Sequence, residues 1–235
     1  MSDIAQRIAE NIAEVRCRIA ETAARCGRSA RDITMVAVTK YVGVAEARAV
    51  AEAGCRVLGE SRPQQLWEKA EALKDRPVAW HMIGHIQRNK VRRTLPLATL
   101  IESVDSMRLL ETIDAEAASL GQTASILLEV NVSGEQAKHG FAPEAVEPLL
   151  EQIAACRNIR VGGLMGMAGW GGTQEDARRD FAALRQLRER LRPNCPREIV
   201  LDDLSMGMSG DFPAAIAEGA TIVRIGSALF EGISR

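Results

Sequence analysis

A closed (β/α)8, or TIM, barrel preceded by one extra helix is the fold this sequence predicts, and three observations predict it. Short β-branched runs alternate with longer amphipathic segments along the chain, the runs number eight, and no G-x-G-x-x-G follows the first of them. Strict alternation implies parallel strands joined by right-handed crossovers, and eight repeats favour closure over the alternative, an open doubly wound sheet. With 235 residues and 46% hydrophobic content the chain buries one large core, so 1–235 reads as a single domain.

The extra helix comes first. Ile4, Ile8, Ile12, Val15 and Ile19 recur at three- and four-residue spacings within the first 26 residues, painting one apolar stripe, with Ser2 or Asp3 available as a cap. The run 33–39 is the first strand and ends at Lys40; a helix over 44–53, a strand over 55–60 and a helix over 64–73 follow. Strands at 78–84, 100–103, 126–131, 161–165, 199–201 and 221–225 continue the period. Helical patterns at 87–94, 106–119, 143–156, 174–191 and 210–218 separate them, and a short helix opens near 227. The Gly-rich run Ala168-Gly-Trp-Gly-Gly172 reads as a long loop after the sixth strand.

Composition narrows the partners. Thirty Lys plus Arg stand against 31 Asp plus Glu, so no overall field favours nucleic acid or an acidic membrane. Five scattered cysteines without a C-x-x-C pair argue against a disulfide framework and a structural zinc site, which suits a reducing cytoplasm. The N-terminal segment is charged throughout, unlike a signal peptide, and no apolar run reaches the ~20 residues that span a bilayer. A cytoplasmic, monomeric protein with a small-molecule ligand is expected. The absence of G-x-S-x-G, P-loop and H-E-x-x-H motifs removes the commonest hydrolase, NTPase and zinc-protease readings.

On such a barrel, function gathers where strands end. Lys40 closes the apolar run Val36-Ala-Val-Thr-Lys40. Enclosure would lower its pKa and supply a neutral amine, whereas a rim position would leave the ammonium in water. Gly226 and Ser227, after the eighth strand at the start of a short helix, suit a phosphate, and Ser209 adds a hydroxyl where the preceding helix starts, unless it is an ordinary N-cap. Arg224 shares a strand face with Gly226 by alternation. It is either a structural ion pair or a cation facing the ring nitrogen of a ligand whose phosphate sits at 226–227.

His81 and His85 flank the end of the third strand, and without a nearby carboxylate or third ligand they make a poor metal site; they are read as lining the mouth or fixing loops. Asn131, Lys138 and His139 are weaker candidates, Lys138 as a solvated loop charge. Met165 and Met167 read as barrel filler.

Taken together, Val36-Ala-Val-Thr-Lys40, Gly59-Glu60, Trp80-His-Met-Ile-Gly-His-Ile-Gln-Arg-Asn-Lys90, Glu102-Ser-Val-Asp-Ser106, Val130-Asn-Val-Ser133, Leu204-Ser-Met-Gly-Met-Ser209 and Val223-Arg-Ile-Gly226 closely resemble the YggS/PROSC family of pyridoxal phosphate homeostasis proteins, over nearly the whole chain. The resemblance implies a barrel like the N-terminal domain of bacterial alanine racemase, with pyridoxal 5′-phosphate as a Schiff base on Lys40. It implies that Ser209, Gly226 and Ser227 hold the phosphate, Ser227 standing where threonine is usual, and that Arg224 approaches the pyridine nitrogen. His81 is placed with this cofactor-binding set. One position departs: the family's second strand usually ends Gly-Glu-Asn-Tyr, and its asparagine contacts the cofactor, whereas this chain has Gly59-Glu60-Ser61-Arg62. The Ser61 contact is then lost, bridged by water or replaced by Arg62, and cofactor affinity changes.

Two functions compete. A racemase needs a second base opposite Lys40, and the only tyrosine, Tyr41, adjoins Lys40 and is expected to point away from it. The chain also ends soon after the eighth strand, without the second domain that carries the opposing tyrosine in racemases. A cation at the pyridine nitrogen would weaken the ring as an electron sink. The favoured expectation is a non-catalytic carrier that stores, buffers and delivers the cofactor to apoenzymes. A third possibility is an interaction protein whose ligand regulates partner binding.

Overall fold

The computed structural model describes residues 3–135 and 139–233. Eight strands, β1 (Thr34–Val38), β2 (Val57–Glu60), β3 (Ala79–Met82), β4 (Ala98–Val104), β5 (Ala124–Glu129), β6 (Ile159–Met165), β7 (Ile199–Met208) and β8 (Ile222–Ile225), close into one parallel barrel in chain order. β8 pairs back onto β1, with Val36 opposite Arg224. The helices are α1 (Asp3–Arg25), α2 (Val44–Glu52), α3 (Pro63–Ala72), α4 (Arg88–Thr94), α5 (Met107–Leu120), α6 (Pro143–Ala154), α7 (Gln174–Leu191) and α8 (Phe212–Ala217). The expected (β/α)8 barrel with its extra N-terminal helix is the observed fold.

The apolar stripe of α1 explains why that helix is there. Ile8, Ile12, Val15 and Ile19 are buried, while Ile4, in the first turn, is 45% exposed. α1 packs against α2, α8 and the short turn after β8. A barrel normally follows its last strand with an outer helix, but here a four-residue 3₁₀ turn, Ser227–Phe230, takes that place. α1 fills the gap and completes the outer ring. Ser2, one of the two caps considered, lies outside the described residues.

Two elements differ from expectation. β7 runs ten residues to Met208 rather than stopping near 201. Asp203 and Ser205 interrupt its apolar pattern because part of the barrel interior is polar, and Gly207 interrupts it because α8 packs against that position. α8 consequently begins at Phe212, not 210, and Gly207 adopts φ +91 with its missing Cβ only 2.5 Å from where Ala215 Cβ sits. A side chain there would clash and strain the backbone together.

The core has two parts. A large cluster lies between the barrel and its helices, and a small one, Val36, Val38, Leu127, Met165 and Ile222, plugs the barrel interior. Among the described residues no helix is long and apolar enough to cross a membrane.

Candidate active site at the barrel mouth

At the C-terminal ends of the strands a cleft of ≈ 340 Å³ opens, and Lys40, Ser61, Ser209, Arg224, Gly226 and Ser227 all line it. Val38, Ile83 and Met167 supply its apolar walls. Six of the seven site residues expected from the sequence thus converge. His81 does not line the cleft. Met167, set aside as filler, does, whereas Met165 two residues earlier is buried inside the barrel.

Lys40 is half-buried and sits two residues past β1, on a segment tied down by buried polar groups. Thr39 N–H donates to Gly59 O at 3.0 Å, and Thr39 Oγ1 donates to Glu60 Oε1 at 2.6 Å. Lys69 Nζ, from α3, donates to Thr39 O at 2.8 Å and to Glu60 Oε1 at 2.6 Å. Thr39, Glu60 and Lys69 are all at most 3% exposed, so this knot fixes the residue preceding the amine. Glu60 Oε2 is buried without a hydrogen-bond partner.

Tyr41 corrects an expectation. β1 ends at Val38, so strand alternation no longer governs residues 40 and 41; Tyr41 lines the cleft, and Lys40 Nζ lies 4.9 Å from its ring centroid.

Ser209 also differs from its simplest reading. It precedes α8 by three residues and does not cap it; the N-cap is Asp211. Its hydroxyl instead crosses to the end of β8, accepting from Gly226 N–H at 3.1 Å and Ala228 N–H at 3.3 Å. Because the segment after β8 is a 3₁₀ turn rather than a helix, the attraction for an anion comes from these individual N–H groups more than from a macrodipole.

Arg224 forms the floor and is 4% exposed. Nη1 donates to Ser205 Oγ at 2.5 Å and Nη2 to Gly166 O at 3.0 Å. Ser205 Oγ donates to Glu102 Oε2 at 2.5 Å, and His81 Nδ1 meets Glu102 Oε1 at 2.6 Å. His81 therefore acts beneath the cleft, at the far end of a chain running through Glu102 and Ser205 to Arg224. Burial alone would raise the Glu102 carboxyl, but the bond and charge of His81, the Arg224 charge and the Ser205 bond outweigh it and hold Glu102 below the usual carboxylate range. Burial pulls the Arg224 guanidinium down from its ordinary value, against the charges of Glu102, Glu129 and Asp211. A guanidinium so placed remains cationic at neutral pH.

With this geometry in place, comparison with known proteins decides the family. Residues 6–233 match the family described as alanine racemase, N-terminal domain. A pyridoxal phosphate homeostasis protein of Aquifex aeolicus is 39% identical over 221 residues, covering 94% of this chain and 96% of that one. The chain belongs to the pyridoxal phosphate homeostasis protein family. Among solved structures, PipY of Synechococcus elongatus PCC7942 with PLP bound superposes with a TM-score of 0.83 at 32% identity, covering 95% of this chain and 99% of PipY. Alanine racemase of Streptomyces lavendulae, 20% identical with a TM-score of 0.74, shares the fold; it covers 98% of this chain, which spans 58% of the racemase.

In this homeostasis-family chain the polar residues beyond the cleft form a second group. His85 Nδ1 lies 2.9 Å from Asp105 Oδ2, and His139 Nδ1 lies 3.5 Å from the same oxygen. The expectation that the histidines lack a carboxylate and a third ligand is thereby corrected: neighbouring loops supply both, at separations along the chain that no local spacing reveals. Asn131 Nδ2 donates to Glu135 O at 2.8 Å, a contact internal to its loop. Lys138 lies outside the described residues. Glu129, at the end of β5, is 5% exposed, and its carboxyl is pushed up to about 7, first by burial and then by the Asp105 charge, against the pull of Arg224 and His85.

Proposed function

We propose that this chain binds pyridoxal 5′-phosphate in the cleft through Lys40 and serves in pyridoxal phosphate homeostasis, storing, buffering and delivering the cofactor to apoenzymes rather than turning over a substrate. The observation that carries this reading is the convergence, in one cleft, of an amine, an anion cradle and a buried guanidinium, at Lys40, at Ser209 with Gly226 and Ser227, and at Arg224. The cleft's size falls in the range of small-molecule sites, and its apolar walls suit an aromatic ring. The PLP-bound structure of PipY, a relative 32% identical, supports the choice of ligand.

When bound, the cofactor supplies an electrophilic aldehyde on an electron-withdrawing ring. Lys40, on the segment pinned by Thr39, Glu60 and Lys69, would hold the aldehyde carbon. Ser209, Gly226 and Ser227 would hold the phosphate, which the Gly226 and Ala228 N–H groups now satisfied by the Ser209 hydroxyl are placed to receive. Arg224, on the cleft floor, would face the ring nitrogen as a permanent cation and so would disfavour its protonation. Ser61, with one hydroxyl, stands on the cleft wall, while His81 keeps its role through Glu102.

The carrier reading is favoured over a racemase by the placement of the bases. Racemisation requires two proton-transfer groups on opposite faces of the ligand, and here Tyr41 sits beside Lys40 rather than across from it. Tyr41 and Met208, 70% and 40% exposed, leave the mouth open to solvent, which suits uptake and release.

Borohydride reduction of the purified protein followed by peptide mass analysis tests the site: the reduced cofactor is expected on the peptide carrying Lys40, and a label on another lysine, or none, overturns it. Alanine incubated with the loaded protein in D₂O is expected to keep its α-proton. Exchange that disappears in Lys40→Ala would establish an enzyme instead.

A further inference from the structure

We propose that His85, Asp105 and His139 form a binding site for a divalent transition-metal ion of the zinc, nickel or copper class. The three residues come from three successive loops, β3–α4, β4–α5 and β5–α6, and one donor atom of each lies within 4.8 Å of the others. Zinc bonds of about 2.0–2.1 Å to nitrogen and oxygen place tetrahedral ligand atoms about 3.3 Å apart. The two imidazole-to-carboxylate separations, 2.9 and 3.5 Å, bracket that spacing.

Asp105 is prepared for the role. Its side chain is only 8% exposed, and Oδ1 accepts from Ser106 Oγ at 3.0 Å, which fixes the carboxylate and directs Oδ2 toward both imidazoles. The imidazoles are the adjustable partners. Their rings lie nearly parallel, 4.7 Å between centroids at 21°, so both Nδ1 atoms face one oxygen. An ion bound in the plane of each ring requires the pair to open, and side-chain exposures of 49% and 63% leave room for that rotation.

The donor set selects the metal. One carboxylate is too few oxygens for calcium or magnesium, and Arg88 and Arg108, which line the adjoining cleft with His85 and Asp105, oppose a cation held by charge alone. Metals that gain most from imidazole nitrogen are favoured, and three protein ligands leave coordination open to water.

The test is calorimetric titration of the full-length, cofactor-loaded chain with zinc chloride and, separately, with nickel and magnesium chloride. One zinc or nickel ion per chain is expected, weakened at least tenfold in His85→Ala, His139→Ala and Asp105→Asn, with magnesium giving no comparable heat. His139→Gln, which keeps the size of an exposed loop side chain, guards against loss by misfolding. The exposed cysteines Cys17 and Cys26 are the thiols able to compete for the ion, so serine replacements at these two positions are expected to leave the ion in place. Unchanged affinity in the histidine variants, no ion on the wild type, or equal affinity for magnesium overturns the proposal. Cofactor absorbance followed in the same samples separates this result from the Lys40 reading, on which the site does not depend.

Discussion

Arg224 spends its charge on a network rather than on solvent. Removing one partner of a buried ion pair leaves the other uncompensated at a cost of about 3–5 kcal/mol, whereas replacing the group as a whole costs much less. Arg224→Ala is therefore expected to destabilise the fold by about that amount in urea titration. A further Glu102→Leu change should recover part of the loss, and an additive double variant would show that the pair is not coupled. Glu129 behaves in the opposite sense. Its carboxyl rises from 4.5 to about 7 in the fold, so between those values the folded chain keeps a proton that the unfolded chain has lost. Stability from this group is complete below about pH 4.5 and falls as pH rises through 7, by at most about 3.5 kcal/mol for the rise of about 2.5 at about 1.4 kcal/mol per pH unit. In chelator-treated protein, Glu129→Gln should flatten that decline in thermal melts taken from pH 5 to 8; an unchanged slope contradicts the assignment. At this scale the sequence was informative about which residues face the mouth, since Arg224 and Gly226 follow from alternation. It was silent on partners. His81 and Glu102 are 21 positions apart and Ser205 a further 103, and only barrel closure joins them.

Among the elements, the ends of β2 and β3 set the wall of the cleft together. A Cβ at Gly84 would lie 2.5 Å from Ser61 O and 2.7 Å from Ser61 Cβ, so the glycine lets the turn after β3 press against residue 61. Ser61→Asn lengthens the polar side chain on that wall without altering the contact. One added hydrogen bond of about 0.5–1.5 kcal/mol should lower the cofactor dissociation constant roughly three- to tenfold. Equal constants for the two proteins, read by absorbance titration, would show that the serine already makes an equivalent contact. Element boundaries are legible where a strand is an unbroken run rich in β-branched residues, as at β1, expected over 33–39 and observed at Thr34–Val38, whereas β5 lies two residues earlier than the expected 126–131. They are not at β7, whose inward Asp203 and Ser205 break the run, and this misplaced the start of α8 and the role of Ser209. Tyr41 departs from alternation for a related reason: β1 stops at Val38, three residues before it.

For the molecule as a whole, α1 is the piece that makes the ring continuous. Ile8 is fully buried there, and Ile8→Ala is expected to cost about 2–5 kcal/mol and to lower the melting temperature of the entire barrel in one cooperative step. A separate early transition, with the remaining barrel unaffected, would show that α1 is an appendage. Asn11 Nδ2 also donates to Leu229 O at 3.2 Å and to Glu231 O at 3.0 Å, joining residues more than two hundred positions apart. On the ribosome the first helix is thus made long before the surface it must cover. Until those later residues are made its apolar stripe has only α2 to cover it, and β1 has β2 but lacks β8, its other strand neighbour. Such late, long-range closure slows folding.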